Sequence, residues 1–420
     1  MIKIKHIVLL FIGLIIITGS GIYCSNNKFN TSNTLLNLTG KAVSSSQINL
    51  NWISGSNSKI NFKIERKTDP ISAYNKIATV ASNINSYSDI GLKEDTVYYY
   101  RILAYDSNLP DLATGQAGNY SRYSNEVSVS TAISWILATS KDTNPSARYG
   151  HAMAYDSARN RIVLFGGSDW TDETWEREGT EWILKSPVHK PLPRYGHAMA
   201  YDSARGKVVL FGGMMATLSD TYEDIRSDET WEWDGTDWTL KTPVHKPSGR
   251  RVSAMAYDSK RAKTILSGGE TDIDYSDETW EWDGTDWTLR TPVHKPLGQW
   301  GTAMAYDSNR HKIFFFRGFG WMTEMCEWDG ANWVITTPAN NSAKCSHAMA
   351  YDPIRDRMVL IGQDETWEYD DTNWSLKSPE DKPMPIWGHA LVYDDARHKV
   401  VLFGGFVGCY PINDTWEWGY

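Results

Sequence analysis

Four tryptophans, Trp170, Trp300, Trp321 and Trp387, stand away from the positions where this chain repeats that residue, and Trp52 lies far upstream of the repeats. Each of the four falls between the second and third strand of a repeat or just before its first strand. Tyr149 and Tyr195 share that pre-strand position, beside Arg148, Arg194, Arg250 and Arg251. Flat rings with a few cationic donors on one concave face suit a sugar ring or a protein loop, since they combine apolar area with a polar edge. Tyr149, Trp170, Tyr195, Trp300, Trp321, Trp387, Arg148, Arg194 and Arg250 are therefore the expected ligand-binding set.

Other chemistry has less support. His151, His197, His347 and His389 occupy one equivalent position, but Ser253 and Thr302 fill it in the remaining copies, so a scaffold hydrogen bond accounts for them better than a metal ring. The acidic loops around Asp220, Glu223 and Asp224 and around Glu270, Asp272 and Asp274 carry calcium-type oxygens, yet they read as solvated surface. Cys24, Cys326, Cys345 and Cys409 include no CxxC pair and form no zinc or disulfide framework. Cys345 and Cys409 fall in neighbouring repeats on the same side and could join after export. There is no Gly-x-Ser-x-Gly, His-Glu-x-x-His or phosphate loop, so neither a catalytic set nor a cofactor is expected.

The elements that must position these residues repeat along residues 135–420. One unit opens with His151-Ala152-Met153-Ala154-Tyr155-Asp156, turns through Ser157-Ala158-Arg159 and continues as Ile162-Val163-Leu164-Phe165-Gly166-Gly167. It then runs through Asp172-Glu173-Thr174-Trp175-Glu176 to Glu181-Trp182-Ile183-Leu184, which predicts four short strands. The first strand recurs six times, and so does the last-strand Trp, at Trp135, Trp182, Trp238, Trp287, Trp333 and Trp374. The two series are out of phase. Trp135 precedes the first full unit, while the final unit stops at Thr415-Trp416-Glu417-Trp418. Six four-stranded sheets therefore close into a ring if Ser134 to Leu137 completes the last one, which would remove an exposed sheet edge.

The 2-to-3 loops vary from nothing between Gln363 and Asp364 to fourteen residues, Met214 to Ser227, whereas the turns at the opposite end are short and uniform. Variable loops on a rigid frame are where binding residues collect. The Trp spacing of 41 to 56 residues, the paired glycines after strand two and the strand-four Trp make this segment resemble a kelch propeller of the galactose oxidase type. The fourth copy, with Arg317-Gly318 and Cys326, and the fifth, with Gly362-Gln363, depart from the pattern and are expected to be locally distorted. The resemblance raises the copper radical site of galactose oxidase, but no matching Tyr, Cys and His set is recognisable. It also raises a sugar mutarotase, for which Arg250 or Arg251 with Glu270 would supply the Arg and Glu.

Upstream, Trp52, Tyr87-Ser88-Asp89 before Gly91-Leu92, the run Thr96 to Ala104 and Ser124-Asn125-Glu126-Val127 resemble a fibronectin type III domain. The stretch Asp106 to Ser121 lacks Arg-Gly-Asp, so integrin-type adhesion has no support. Abundant Trp, Tyr and Gly agree with an all-β chain.

The expected fold class is thus a fibronectin type III sandwich at 34–132 followed by a six-bladed kelch β-propeller at 133–420 that its own N-terminal strand closes. Residues 1–23 read as a signal peptide or N-terminal anchor, with Lys3 and Lys5 ahead of the apolar run Ile7 to Ile17, and 24–33 as a linker. Cys24 follows Tyr23 rather than a small residue, which weakens a lipoprotein reading. Net charge is −9, and losing Lys3 and Lys5 would make the chain more acidic, which argues against nucleic acid. The expectation is a secreted, periplasmic or cell-surface monomer that binds a glycan or extracellular protein, touching a membrane only through an N-terminal anchor or lipid.

Overall fold

The computed structural model describes residues 37–44, 46–53, 60–93, 96–106, 120–131, 133–138, 144–168, 170–215, 225–296, 301–317, 325–336, 347–362, 365–379, 381–384 and 386–419. The expected signal segment and linker lie outside them, as do Trp300, Trp321 and Cys345. The secondary structure of the described residues is β throughout, organised as many small antiparallel sheets. The described residues fall into two compact units, those within 37–41, 48–89 and 97–129 in one and those within 42–47, 90–96 and 130–419 in the other.

Alternation of apolar and polar residues builds the strands before residue 131. Thr39–Ser44, Gln47–Asn51 and Ser86–Ile90 pair in one sheet, and Asn75–Val80, Ile60–Lys67, Val97–Asp106, Tyr120–Tyr123 and Val127–Ser130 in another. Inward residues of this region include Trp52, Phe62, Ile64, Tyr100 and Ile102, and the Trp52 ring meets Phe62 edge-on at 5.6 Å. The buried Tyr100 hydroxyl donates to Asp89 at 2.8 Å, and Arg66 holds the same carboxylate through two bonds.

Among the described residues the larger unit has six four-stranded sheets. Sheet I is Ala152–Asp156, Arg161–Phe165, Thr174–Glu178 and Glu181–Lys185, joined in chain order. Sheets II to V repeat it, with first strands Ala198–Asp202, Ala254–Asp258, Ala303–Asp307 and His347–Asp352. Sheet VI is Ala390–Asp394, Lys399–Phe403 and Thr415–Gly419, and its fourth strand is Ser134–Leu137, with Trp135 opposite Trp418. Sheets IV and V keep the regular four-strand pairing. In sheet IV Cys326 fills the strand-three position as a small buried apolar group opposite Phe315, while Gly318 and Gln363, where distortion is also expected, lie outside the described residues.

Successive first strands lie side by side, and that of sheet VI lies beside that of sheet I. The core is correspondingly split into layers between neighbouring sheets. Ala154, Val163 and Phe165 of sheet I pack with Met199, Leu210 and Trp238 of sheet II, and Val401 and Phe403 of sheet VI pack with Met153, Leu164 and Trp182 of sheet I.

The repeated Trp adds a directed bond to five of the six layers, since a buried indole N–H needs an acceptor. Trp238, Trp287 and Trp333 donate to Thr174, Thr230 and Thr279 of the preceding sheet at 2.8 Å, Trp182 donates to Thr415 at 3.2 Å, and Trp135 donates to Thr366 at 2.8 Å. At the sixth junction the Thr position holds Met325, and the Trp374 indole nitrogen has no hydrogen-bond partner.

Glycines in the strand-three to strand-four turns let sheets approach at the other end. Gly284 sits at φ +100°, and a Cβ there would fall 2.7 Å from the Arg205 guanidinium, which Asp202 and Glu232 hold in place. Gly206 also has positive φ but open space around it. Gly284→Ala should therefore destabilise by about 2–3 kcal/mol, and Gly206→Ala by about 1 kcal/mol from backbone strain alone. Equal losses for the two in urea unfolding would refute the close-approach argument.

Candidate functional site

The starts of the first strands surround a cavity of about 380 Å³. Its mouth is built by backbone geometry. Gly388, Gly150 and Gly196 adopt φ of +66°, +67° and +68°, and the next equivalent residue, Val252, adopts +52°. In that conformation Gly150 N–H donates to Gly388 O at 2.7 Å, Gly196 N–H to Gly150 O at 2.6 Å, and Val252 N–H to Gly196 O at 2.6 Å. A main-chain belt thus ties sheets VI, I, II and III together and fixes the residue before each link at the rim.

Those residues are Trp387, Tyr149, Tyr195 and Arg251, and all four line the cavity. Tyr149 meets Trp387 edge-on at 5.0 Å, and Phe406 closes the group at 5.0 Å from Tyr149 and 4.7 Å from Trp387. Trp170, at φ +52° and 44% exposed, meets Tyr195 edge-on at 5.3 Å. Trp387 is 40% exposed. Of the nine residues expected to bind, the structure brings Tyr149, Tyr195, Trp387 and Trp170 together at this rim, while Trp300 and Trp321 lie outside the described residues.

Arg148, Arg194 and Arg250 require a correction: each is 0% exposed and none lines the cavity. Their side chains turn under the paired glycines, donating to the carbonyls of Gly166, Gly212 and Gly268 and pairing with Glu173, Glu229 and Glu278. Each of those carboxylates also accepts the indole N–H of Trp175, Trp231 or Trp280. Burial lowers the pKa of Arg194 and Arg250, and hydrogen bonds from the paired Arg and Trp outweigh burial to lower that of Glu229 and Glu278. These arginines are scaffold posts. A sequence signal existed, because sheet VI has Ile386 in place of the Arg and Asp414 in place of the Glu.

Arg251 does face the cavity. Its guanidinium holds Glu270 through two bonds of 3.0 and 3.1 Å and donates to the Tyr195 hydroxyl at 3.1 Å. Arg226 pairs with Glu270 and with Asp272, the latter at 3.0 Å. It arrives on Ile225–Arg226, a short strand that, with Met214–Met215 and Arg194–Tyr195, frames the longest 2-to-3 loop. Glu270, expected to be solvated, is instead paired and largely covered; Asp220, Glu223 and Asp224 fall outside the described residues.

His151, His197 and His389 also line the cavity and are buried. Their rings lie against the end of the preceding sheet's second strand, as at His151 on Phe403 and His197 on Phe165. Burial holds them neutral, pulling His389 down to about 4, His197 to about 3 and His151 well below the ordinary value. Among the described residues no group of three or more His, Cys, Asp or Glu could hold a metal ion. Cys409 is exposed, and its expected partner Cys345 lies outside the described residues.

No protein-family model matches the chain, and no curated protein does. Similar solved structures include an auxiliary nutrient binding protein from Bacteroides thetaiotaomicron, at 10% identity and TM-score 0.44 over 92% of this chain and 98% of that one. An Fn3-like protein from Clostridium thermocellum is 21% identical over 23% of this chain and 91% of that one, with TM-score 0.19. A nidogen/laminin complex gives 11% identity and TM-score 0.37 over 64% of this chain and 89% of that one. No helix among the described residues is long and apolar enough to cross a membrane.

Proposed function

We propose that residues 133–420 form a six-bladed kelch-type propeller, that 34–132 form a fibronectin type III spacer, and that the protein is an exported monomer whose propeller mouth binds a glycan. The pairing of Ser134–Leu137 in sheet VI and the core layer between sheets VI and I support the propeller reading. The observation that carries the function is the rim itself, where Trp387, Tyr149 and Tyr195 line a cavity of about 380 Å³, within the usual range of small-ligand sites, and Trp170 packs against Tyr195. Such rings offer flat area to the apolar face of a sugar, and Arg251 with Glu270 offers polar contacts beside it.

The test is a glycan-binding screen, followed by single alanine changes at Trp387, Tyr149, Tyr195 and Trp170. Loss of a true anchor costs about 2 kcal/mol or more, roughly thirty-fold in affinity, with folding retained. Unchanged affinity in all four folded variants would move the site elsewhere, and binding only to extracellular proteins would replace the glycan by a protein loop. The second reading, a mutarotase, rests on the Arg251–Glu270 pair at the mouth and is checked by an anomerisation assay; the burial of Arg250 removes it from that role.

A further inference from the structure

Sheet III breaks the repeat at three successive residues on the way into the cavity. Arg251 stands where the neighbours have Tyr149, Tyr195 and Trp387, Val252 where they have Gly150, Gly196 and Gly388, and Ser253 where they have His151, His197 and His389. Two of these departures carry a stability cost. Val252 holds φ +52°, a left-handed conformation strained for a β-branched residue. The Ser253 Oγ is buried in the lining without a hydrogen-bond partner, a cost that a ligand hydroxyl or a water would relieve. Local rules broken together at a cavity mark function more often than accident.

The third departure sets the charge. Arg251 is fixed to Glu270 twice over, by the side-chain pair and by reciprocal main-chain bonds of 3.0 and 2.9 Å. Arg226 binds the same carboxylate and Asp272, so among the described residues two guanidinium groups meet two carboxylates and their formal charges cancel. Asp274 on the adjoining loop adds one more acid, and the three imidazoles in the lining are neutral. A bare Arg pair would recruit carboxylate or sulfate sugars through charge-assisted bonds. Here Glu270 already occupies that geometry, and what remains are donors and acceptors suited to hydroxyl groups.

We propose that the Arg251–Ser253 corner is a selectivity pole for an uncharged, polyhydroxylated sugar unit, and that Glu270, which binds both Arg251 and Arg226 and with Asp272 balances their charge, is the residue that excludes acidic sugars. This rests on the glycan reading above. Any anionic ligand must displace the Glu270 carboxylate from two guanidinium groups, whereas a hydroxylated ring can bond to the pair as it stands.

The experiment compares the full chain and its variants on a panel of neutral hexose-terminated oligosaccharides and matched ones ending in glucuronic or sialic acid. The wild-type protein should bind a neutral member at least tenfold tighter than its acidic match. Glu270→Gln, which keeps the shape and removes the charge, should shrink that ratio tenfold or more. Asp272→Asn changes an exposed group and should shift it the same way by a smaller factor, which keeps the test available if Glu270→Gln does not fold. Val252→Gly should raise the melting temperature and leave the neutral-to-acidic ratio unchanged, because a glycine keeps the belt bond to Gly196 without strain and Glu270 still holds Arg251. A wild-type preference for acidic glycans, or a ratio unmoved in both charge variants, overturns the pole while leaving the glycan reading intact. Binding to no glycan at all overturns both.

Discussion

Trp135→Ala in the full chain should cost about 3–5 kcal/mol, as much as the same change at Trp238, although Trp135 lies on a four-residue strand far in sequence from its partners. Its side chain is 1% exposed, its ring sits 5.3 Å from that of Trp418, and its indole donates to Thr366 on sheet V. The same short strand supplies the fourth edge of sheet VI, with Glu417 opposite Ile136 and Trp416 opposite Leu137. Removing it exposes that edge and strips one wall from the layer that holds Val400, Leu402 and Trp418. A chain begun at Asp142 should therefore melt well below one begun at Ala132, or aggregate, while the latter keeps the closing strand. Urea and thermal unfolding decide the matter. Equal melting temperatures for the two shortened chains, or a Trp135→Ala loss under 1 kcal/mol, would mean that sheet VI is stable with three strands.

The phase of the repeated Trp made this strand legible before any coordinates, because period-two alternation and turn residues recur in every copy and errors in one unit are corrected by the others. What the repeats did not disclose is direction. Arg148, Arg194 and Arg250 precede the same strand as Tyr149, Tyr195 and Arg251, and one residue of difference reverses the side of the chain on which a group lies; the first set turns inward to the glycine carbonyls and the second lines the cavity. Phe406 was missed because its place beside Trp387 follows from a local pairing, Trp387 with Phe406, that no repeat position announces. Val252 was missed for a different reason. A Gly-to-Val change reads as routine variation in sequence, and its cost is visible only once φ is known. Met325 in place of Thr, which leaves the Trp374 indole without an acceptor, is of the same kind.

Acidification should unfold the larger unit in a window that belongs to its buried histidines. His151, His197 and His389 have folded pKa values pulled below the ordinary 6.5 by burial, to about 4 for His389 and about 3 for His197. Below about pH 6.5 the unfolded chain takes up protons that the folded chain refuses, so the stability these groups contribute is fully present above that pH and is lost as pH falls toward their folded values. Each imidazole removes roughly 1.4 kcal/mol per pH unit across the window. The depressed carboxylates, such as Glu229, Glu278 and Glu417, act in the same direction only below their ordinary value of 4.5, while Glu281, whose burial raises its pKa, opposes the loss. Between pH 6.5 and 4.5 the fall should therefore come from the imidazoles, offset in part by Glu281, Asp352 and Asp394, whose burial raises their pKa. Urea-unfolding free energies measured across that range should fall steeply for the wild-type chain. They should fall less steeply for the His197→Gln, His389→Gln double variant, which removes two of the three described rings. A wild-type profile that is flat between pH 6.5 and 4.5 would mean that the rings are reached by water and protonate in place. That result would also bring positive charge into the lining of the cavity, and the neutral lining that the proposed sugar selection requires would hold only near neutral pH.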